Sequence, residues 1–197
     1  GFAAGLTPMI GADNGTGNVK GIGTTVKNGL IVNGMIGGAS ILILTIIYFC
    51  LDLFGQAPEL MPLIRPYFII VGISTLFALG FNVLKQFTDG ICRPMISMTL
   101  LIIGNFLNIL GNWVLIYGKF GFPELGLAGA GISTLVSRIL ILIVFVAYIF
   151  KSKKMNEYAR AIKEAIITRD EMKGVFKMGY PVGIQYGKKD NEDRGIQ

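Results

Sequence analysis

The stretch PMISMTLLIIGNFLNILGNWVLIYG, residues 94–118, runs for 25 residues without a charge. A helix rises about 1.5 Å per residue, so some 20 apolar residues cross the roughly 30 Å hydrocarbon layer of a bilayer. This run is long enough, and it is not alone. Residues 29–51 are uncharged for 23 residues and residues 66–84 for 19, while residues 125–150 are interrupted only by Arg138. Each run ends near Gly, Pro or a charge, as spanning helices do. Only helices and closed barrels satisfy their backbone groups in lipid. Four such runs therefore predict an all-α integral membrane protein, a multi-helix transmembrane bundle over residues 1–150.

Composition points the same way. Of 197 residues, 52% are hydrophobic and 15% charged, with a mean hydropathy of +0.62. That excludes a disordered chain and speaks against an ordinary soluble domain. With no His and two Cys, there is no ligand set for structural zinc, no nucleophile–base pair and no imidazole for proton transfer near neutral pH. No catalytic residue, metal site or cofactor is expected, and an enzyme ranks last. Gly15, Gly17 and Gly21 lack the GxxxxGK[ST] order and follow a membrane helix rather than a strand, so no nucleotide site is assigned. The chain opens at Gly1 inside an apolar segment without an initiator Met. It reads as an excerpt of a longer polypeptide, with residues 1–12 the end of a helix.

Basic residues alternate by connection. Lys20 and Lys27 precede the first full span, and Lys85 and Arg93 separate the second from the third. Lys151, Lys153, Lys154, Arg160, Lys163, Arg169, Lys173 and Lys177 follow the fourth, whereas the other connections hold Arg65 and Lys119. Twelve against two predicts a multi-pass plasma-membrane protein whose basic loops are cytoplasmic. It also accounts for the net charge of +6 without nucleic acid as a partner. Cys50 and Cys92 then belong to opposite membrane faces, beyond disulfide reach. Residues 151–173 read as a cytoplasmic amphipathic connector with Met155, Ala159, Ile162 and Ile166 on one face. Thr168 and Glu171 have capping-box spacing, so a further helix takes in residues 174–185. Six charges within residues 188–194 keep the tail, residues 186–197, out of the hydrocarbon.

Within the spans, close packing is expected at small residues: Gly34 with Gly38, Gly1 with Gly5, and the stripe Gly126, Ala130, Thr134. Asn105, Asn108 and Asn112 lie in one span, and Asn108 and Asn112, four apart, share a helix face. Such a pair serves either interhelical hydrogen bonding or a transport pathway. Arg138 is a full charge midway along its span, where a buried partner is expected rather than an escape to the interface.

The stretch NILGNWVLIYGKFGFPELGLAGAG, Asn108 to Gly131, resembles the fifth-to-sixth helix region of the multidrug and toxic compound extrusion (MATE) family, in its NorM-like form. Leu6-Thr-Pro8 with Asn14-Gly15 resembles the end of that family's second helix, and GYPVGIQ, Gly179 to Gln185, the start of its seventh. All but residues 186–197 is covered.

The resemblance implies twelve helices in two six-helix bundles, of which this chain is a partial N-terminal lobe. It implies a secondary active transporter that exports organic cations or drugs by antiport with protons or sodium through alternating access, using an ion gradient and no cofactor. Organic cations, the lipid bilayer and the missing helices of the parent transporter are the implied partners. Asn108 and Asn112 take cavity positions of the fifth helix, with Asn112 where an acidic subgroup has Asp, and Thr134 matches a cavity hydroxyl of the sixth. Leu110 stands where many relatives have Pro. The family's first-helix acid has no counterpart here, its seventh-helix acid would fall in the divergent tail, and neither Asp190 nor Glu192 stands in for it. An isolated chain of this extent is therefore not expected to act as an antiporter. A lipid-linked glycan flippase of related fold ranks second, because it calls for several basic residues in a cavity where only Arg138 is a candidate. A non-transporting membrane scaffold ranks third.

Overall fold

The computed structural model describes residues 2–50, 61–121 and 123–166. Among these residues all regular elements are helical. A 3-10 turn at Phe2–Gly5 precedes α1 (Leu6–Gly15), followed by α2 (Val19–Cys50), α3 (Met61–Gly90), α4 (Pro94–Ile116), α5 (Gly126–Lys151) and α6 (Asn156–Glu164). Helices α2 to α5 are long and apolar enough to cross a membrane. The capping box at Thr168 and Glu171, the helix over 174–185 and the tail over 186–197 lie outside the described residues, as does Gly1 of its proposed glycine pair.

The uncharged runs mark hydrocarbon depth rather than helix length. Helix α2 begins at Val19 rather than Gly29, so Lys20 and Lys27, read from sequence as connection residues, are helical. Helix α3 continues past residue 84 to Gly90. Backbone hydrogen bonding does not stop at the lipid boundary, and beyond it charges pair along the helix: Lys85 Nζ meets Asp89 Oδ2 at 2.7 Å, four residues on. Helix α4 stops at Ile116, where left-handed residues follow at Gly118 (φ 60°), Phe120 (φ 58°) and Gly121 (φ 82°).

Two compact units divide the chain: Gly1–Asn33, Asn82–Ser97 and Ala147–Gln197 form one, and Gly34–Phe81 and Met98–Val146 the other. The first has a core of Leu6, Ile10, Ile22, Val83, Phe87 and Met155. Its glycine-rich segment is a turn between α1 and α2. Gly17 has φ 69°, and the Asn18 side chain accepts from the Gly21 N–H at 3.1 Å while donating to Asp13 Oδ1 at 3.0 Å. Asn18 thus caps α2 and leaves no phosphate cradle. Between α3 and α4, the Arg93 N–H donates to Thr88 O at 2.8 Å and the Cys92 N–H to Asp89 O at 3.1 Å, with Cys92 left-handed at φ 58°. This is a Schellman stop, and Pro94 then opens α4 where its missing N–H has no cost. Cys50 and Cys92 are both free thiols.

The amphipathic face of α6 is real but shorter than the spacing implied. Met155 and Ala159 are buried and Ile162 is half-buried, while Ile166 lies beyond the helix end and is exposed. Gly23 lets α2 meet the Ala161 backbone, where a Cβ would overlap it. Lys27 Nζ donates to the Ala165 carbonyl at 2.7 Å, closing the C-terminus of α6, and the Tyr158 ring stands edge-on to Phe87, 5.7 Å between centroids. All described cations of the connections assigned to the cytoplasm belong to this unit, whereas Arg65, Lys119 and Arg138 belong to the other.

In the second unit small residues govern helix contact, as lipid-embedded packing requires, but not at the expected pair. A Cβ on Gly34 or Gly38 would meet nothing within 4 Å, and the same holds for Gly126. Gly37 makes the close approach instead, against Leu76. GxxxG spacing identifies residues that share a face without saying which face is covered. Phe81 and Phe145 pack with ring centroids 5.5 Å apart. Leu42, Ile46 and Phe49 are 67%, 64% and 75% exposed, an outward apolar face suited to hydrocarbon.

Candidate functional site

Helices α4 and α5 form a close antiparallel hairpin within the second unit. The Leu125 N–H donates to the Leu115 carbonyl at 3.0 Å, which fixes the start of α5 against the last turn of α4. From there the seam steps through close contacts: Gly129 on the Leu115 backbone, Gly111 on Ser133, and Gly104 on Ile141. Helix α4 runs unbroken through Leu110, so the residues along it keep regular helical spacing.

This register brings together the three polar residues singled out in the sequence. Asn112 Nδ2 donates to Asn108 Oδ1 at 3.3 Å, Asn108 Nδ2 donates to Thr134 Oγ1 at 3.2 Å, and Thr134 Oγ1 donates to the Ala130 carbonyl at 2.9 Å. The relay is anchored by Ser133, whose Oγ donates to the Asn108 carbonyl at 2.9 Å. Asn112 Oδ1 is shut from solvent and has no partner among the described residues. An enclosed acceptor without a donor costs roughly 1–3 kcal/mol, so the relay ends in an atom that gains from a donor supplied by a ligand. Asn105, on the same span, is exposed and outside the relay.

Arg138 stands one turn beyond Thr134 on α5. Its internal partner is a hydroxyl: Nη1 donates to Ser74 Oγ at 2.7 Å, and Ser74 Oγ in turn donates to the Val71 carbonyl at 2.7 Å. Ser74, Ser133 and Ser137 are buried, and none was singled out in the sequence. Ser74 and Ser137 bond carbonyls of their own helices, so a serine in an apolar run carries no visible cost. The spacing of Ser133 and Ser137, four residues apart on one helix face, is the available signal.

The relay consists of neutral amides and hydroxyls. It can orient a ligand by hydrogen bonds but has no group to exchange a proton near neutral pH. Among the described residues there is no cluster of three or more His, Cys, Asp or Glu to hold a metal. An apolar cleft of about 270 Å³ between α2 and α3, lined by Leu44, Tyr48, Phe68 and Ile73 among others, offers shape without orientation, since its Thr45 hydroxyl already donates to Ile41 O at 2.8 Å.

The geometry gives an all-helical fold with a neutral polar seam between two apolar spans. The family model described as MatE matches residues 1–114, and the chain belongs to the MatE family, whose members are integral membrane transporters. It is 29% identical over 182 residues to the multidrug resistance protein NorM of Vibrio cholerae serotype O1, covering 92% of this chain and 40% of that protein. It is 24% identical over 184 residues to a probable multidrug resistance protein NorM of Idiomarina loihiensis, covering 93% and 40%. The fold is similar to the inward-facing conformation of a multidrug resistance MATE family transporter of the MOP superfamily, with a TM-score of 0.76 and 23% identity over 91% of this chain and 41% of that one. A MATE crystal structure in the bent conformation gives 0.76 and 22% over 91% and 39%. The chain thus spans about two fifths of the length of these relatives.

Proposed function

We propose that this chain forms part of a secondary exporter that moves organic cations or amphipathic drugs out of the cell by antiport with protons or sodium through alternating access. The observation that carries the reading is the Asn112–Asn108–Thr134 relay, a directional chain of neutral groups that ends in an unpartnered, enclosed acceptor. Intramembrane polar groups mark substrate or ion paths when they face a wet cavity. Here Asn108 and Asn112 orient the ligand and Thr134 holds Asn108 in place. The relay contains no acid, so in this reading it binds substrate and does not itself carry the coupling proton. The basic connections lie in the cytoplasm, following their charge asymmetry.

Ion-gradient-driven efflux of a fluorescent cation from proteoliposomes tests this, comparing the full-length protein with Asn112→Leu. Loss of the enclosed acceptor is expected to slow efflux by a factor of about 5 to 10, the equivalent of one hydrogen bond. Unchanged efflux in the variant removes Asn112 from the pathway.

A further inference from the structure

Arg138 is residue 13 of the 26 in α5, so about 18–20 Å of helix separates it from either end. Its side chain is too short to reach either interface from there. It is half-buried rather than enclosed, and among the described residues its hydrogen bonding is limited to one donor on the neutral Ser74 hydroxyl. A guanidinium has five N–H donors and a permanent charge. Among the described residues of its unit the only acid is Glu124, which precedes α5 and lies about 20 Å away along the helix. Elsewhere Lys85 has Asp89 and Lys27 closes a helix C-terminus; among the described residues Arg138 has no comparable negative partner. A cation held at that depth is tolerated where an anion or a wet cavity meets it. Arg138 also follows Thr134 by four residues and so shares its face of α5. The spare donors of the guanidinium and the half-buried amides of Asn108 and Asn112, joined to α5 through Thr134, therefore belong to one polar stripe.

We propose that Arg138 is an anion subsite that takes the carboxylate of a zwitterionic amphiphile, while the amine of the same molecule meets the Asn108–Asn112 amides. Ser74, buried and fixed by its bond to Val71, positions the guanidinium for this. The inference rests on the export reading in placing this surface on the substrate path, but it makes a separate demand: ligands that carry an acid are preferred over the same ligands with the acid masked.

The test uses a fluorescent aryl amine bearing a carboxylate and its methyl ester, each titrated against the purified full-length protein in lipid nanodiscs. The wild type is expected to bind the acid more tightly than the ester by about tenfold or more, the value of a charge-assisted hydrogen-bonded pair. Arg138→Gln is expected to bring that ratio close to one, and Arg138→Lys, which keeps the charge, to retain part of it. A wild-type ratio near one, a ratio unchanged in Arg138→Gln, or an equal loss for both probes overturns the assignment, the last because it marks Arg138 as a structural partner of another protein group. Binding with the expected ratio but without gradient-driven efflux of either probe counts against export and leaves the anion subsite standing.

Discussion

Asn108→Leu in the full-length protein is expected to abolish most gradient-driven efflux of a cationic dye, a fall of roughly 10- to 100-fold. Asn108 is the hub of the relay, accepting from Asn112 and donating to Thr134. Leucine at this position removes the one partner of the Asn112 side chain and frees the Thr134 oxygen. The loss should therefore exceed that of Asn112→Leu, which spares the bond across the two helices. Folding is expected to survive, because Ser133 bonds the Asn108 backbone carbonyl, which the substitution retains. Efflux rates set beside thermal midpoints in detergent separate the two effects. Full efflux in Asn108→Leu contradicts the assigned role, and a collapsed midpoint assigns the residue to packing.

Gly129→Val is expected to lower stability by about 1–3 kcal/mol, the usual cost of forcing extra methyls into a packed contact. A Cβ on Gly129 would lie 2.6 Å from the Leu115 carbonyl oxygen, and that oxygen cannot turn away without releasing the Leu125 N–H that it holds at 3.0 Å. The hairpin must open, and Thr134 moves away from Asn108 as it does. Gly34→Ala is the matched comparison, because it adds a methyl where nothing lies within 4 Å, and its expected change is within about 0.5 kcal/mol. Thermal unfolding of both variants decides the matter: equal midpoints mean that the seam between α4 and α5 is not the tight one.

Those two glycines also show what the sequence could and could not disclose. Spans are legible because an uncharged run of some 20 residues has few other uses. Their ends are not, since α2 continues through Lys20 and Lys27, where helix and lipid have different boundaries. The Asn108 and Asn112 pair could be read from helical spacing, whereas Thr134 was placed beside it only through family resemblance. Gly34 and Gly38 have the spacing of a packing motif yet face open space, while Gly111 and Gly129 carry the contacts. Which face of a helix is covered depends on its neighbours, and periodicity along one chain is silent about them. Arg138 stood out as a charge in an apolar run, but its partner Ser74 lies 64 residues away in a different helix and resembles any other serine.

Export through this seam requires that Asn108, Asn112 and Thr134, whose enclosed end is Asn112 Oδ1, open to water within the membrane during transport. With Cys50 and Cys92 replaced by Ala in the full-length protein, single cysteines at positions 112 and 102 can be exposed to a membrane-impermeant thiol reagent in proteoliposomes. Ile102 is 67% exposed on the apolar surface of α4, where hydrocarbon should shield it. The account predicts that Asn112→Cys is labelled, that a transported cation protects it, and that Ile102→Cys stays unlabelled. Labelling of Ile102→Cys with Asn112→Cys inert would contradict it.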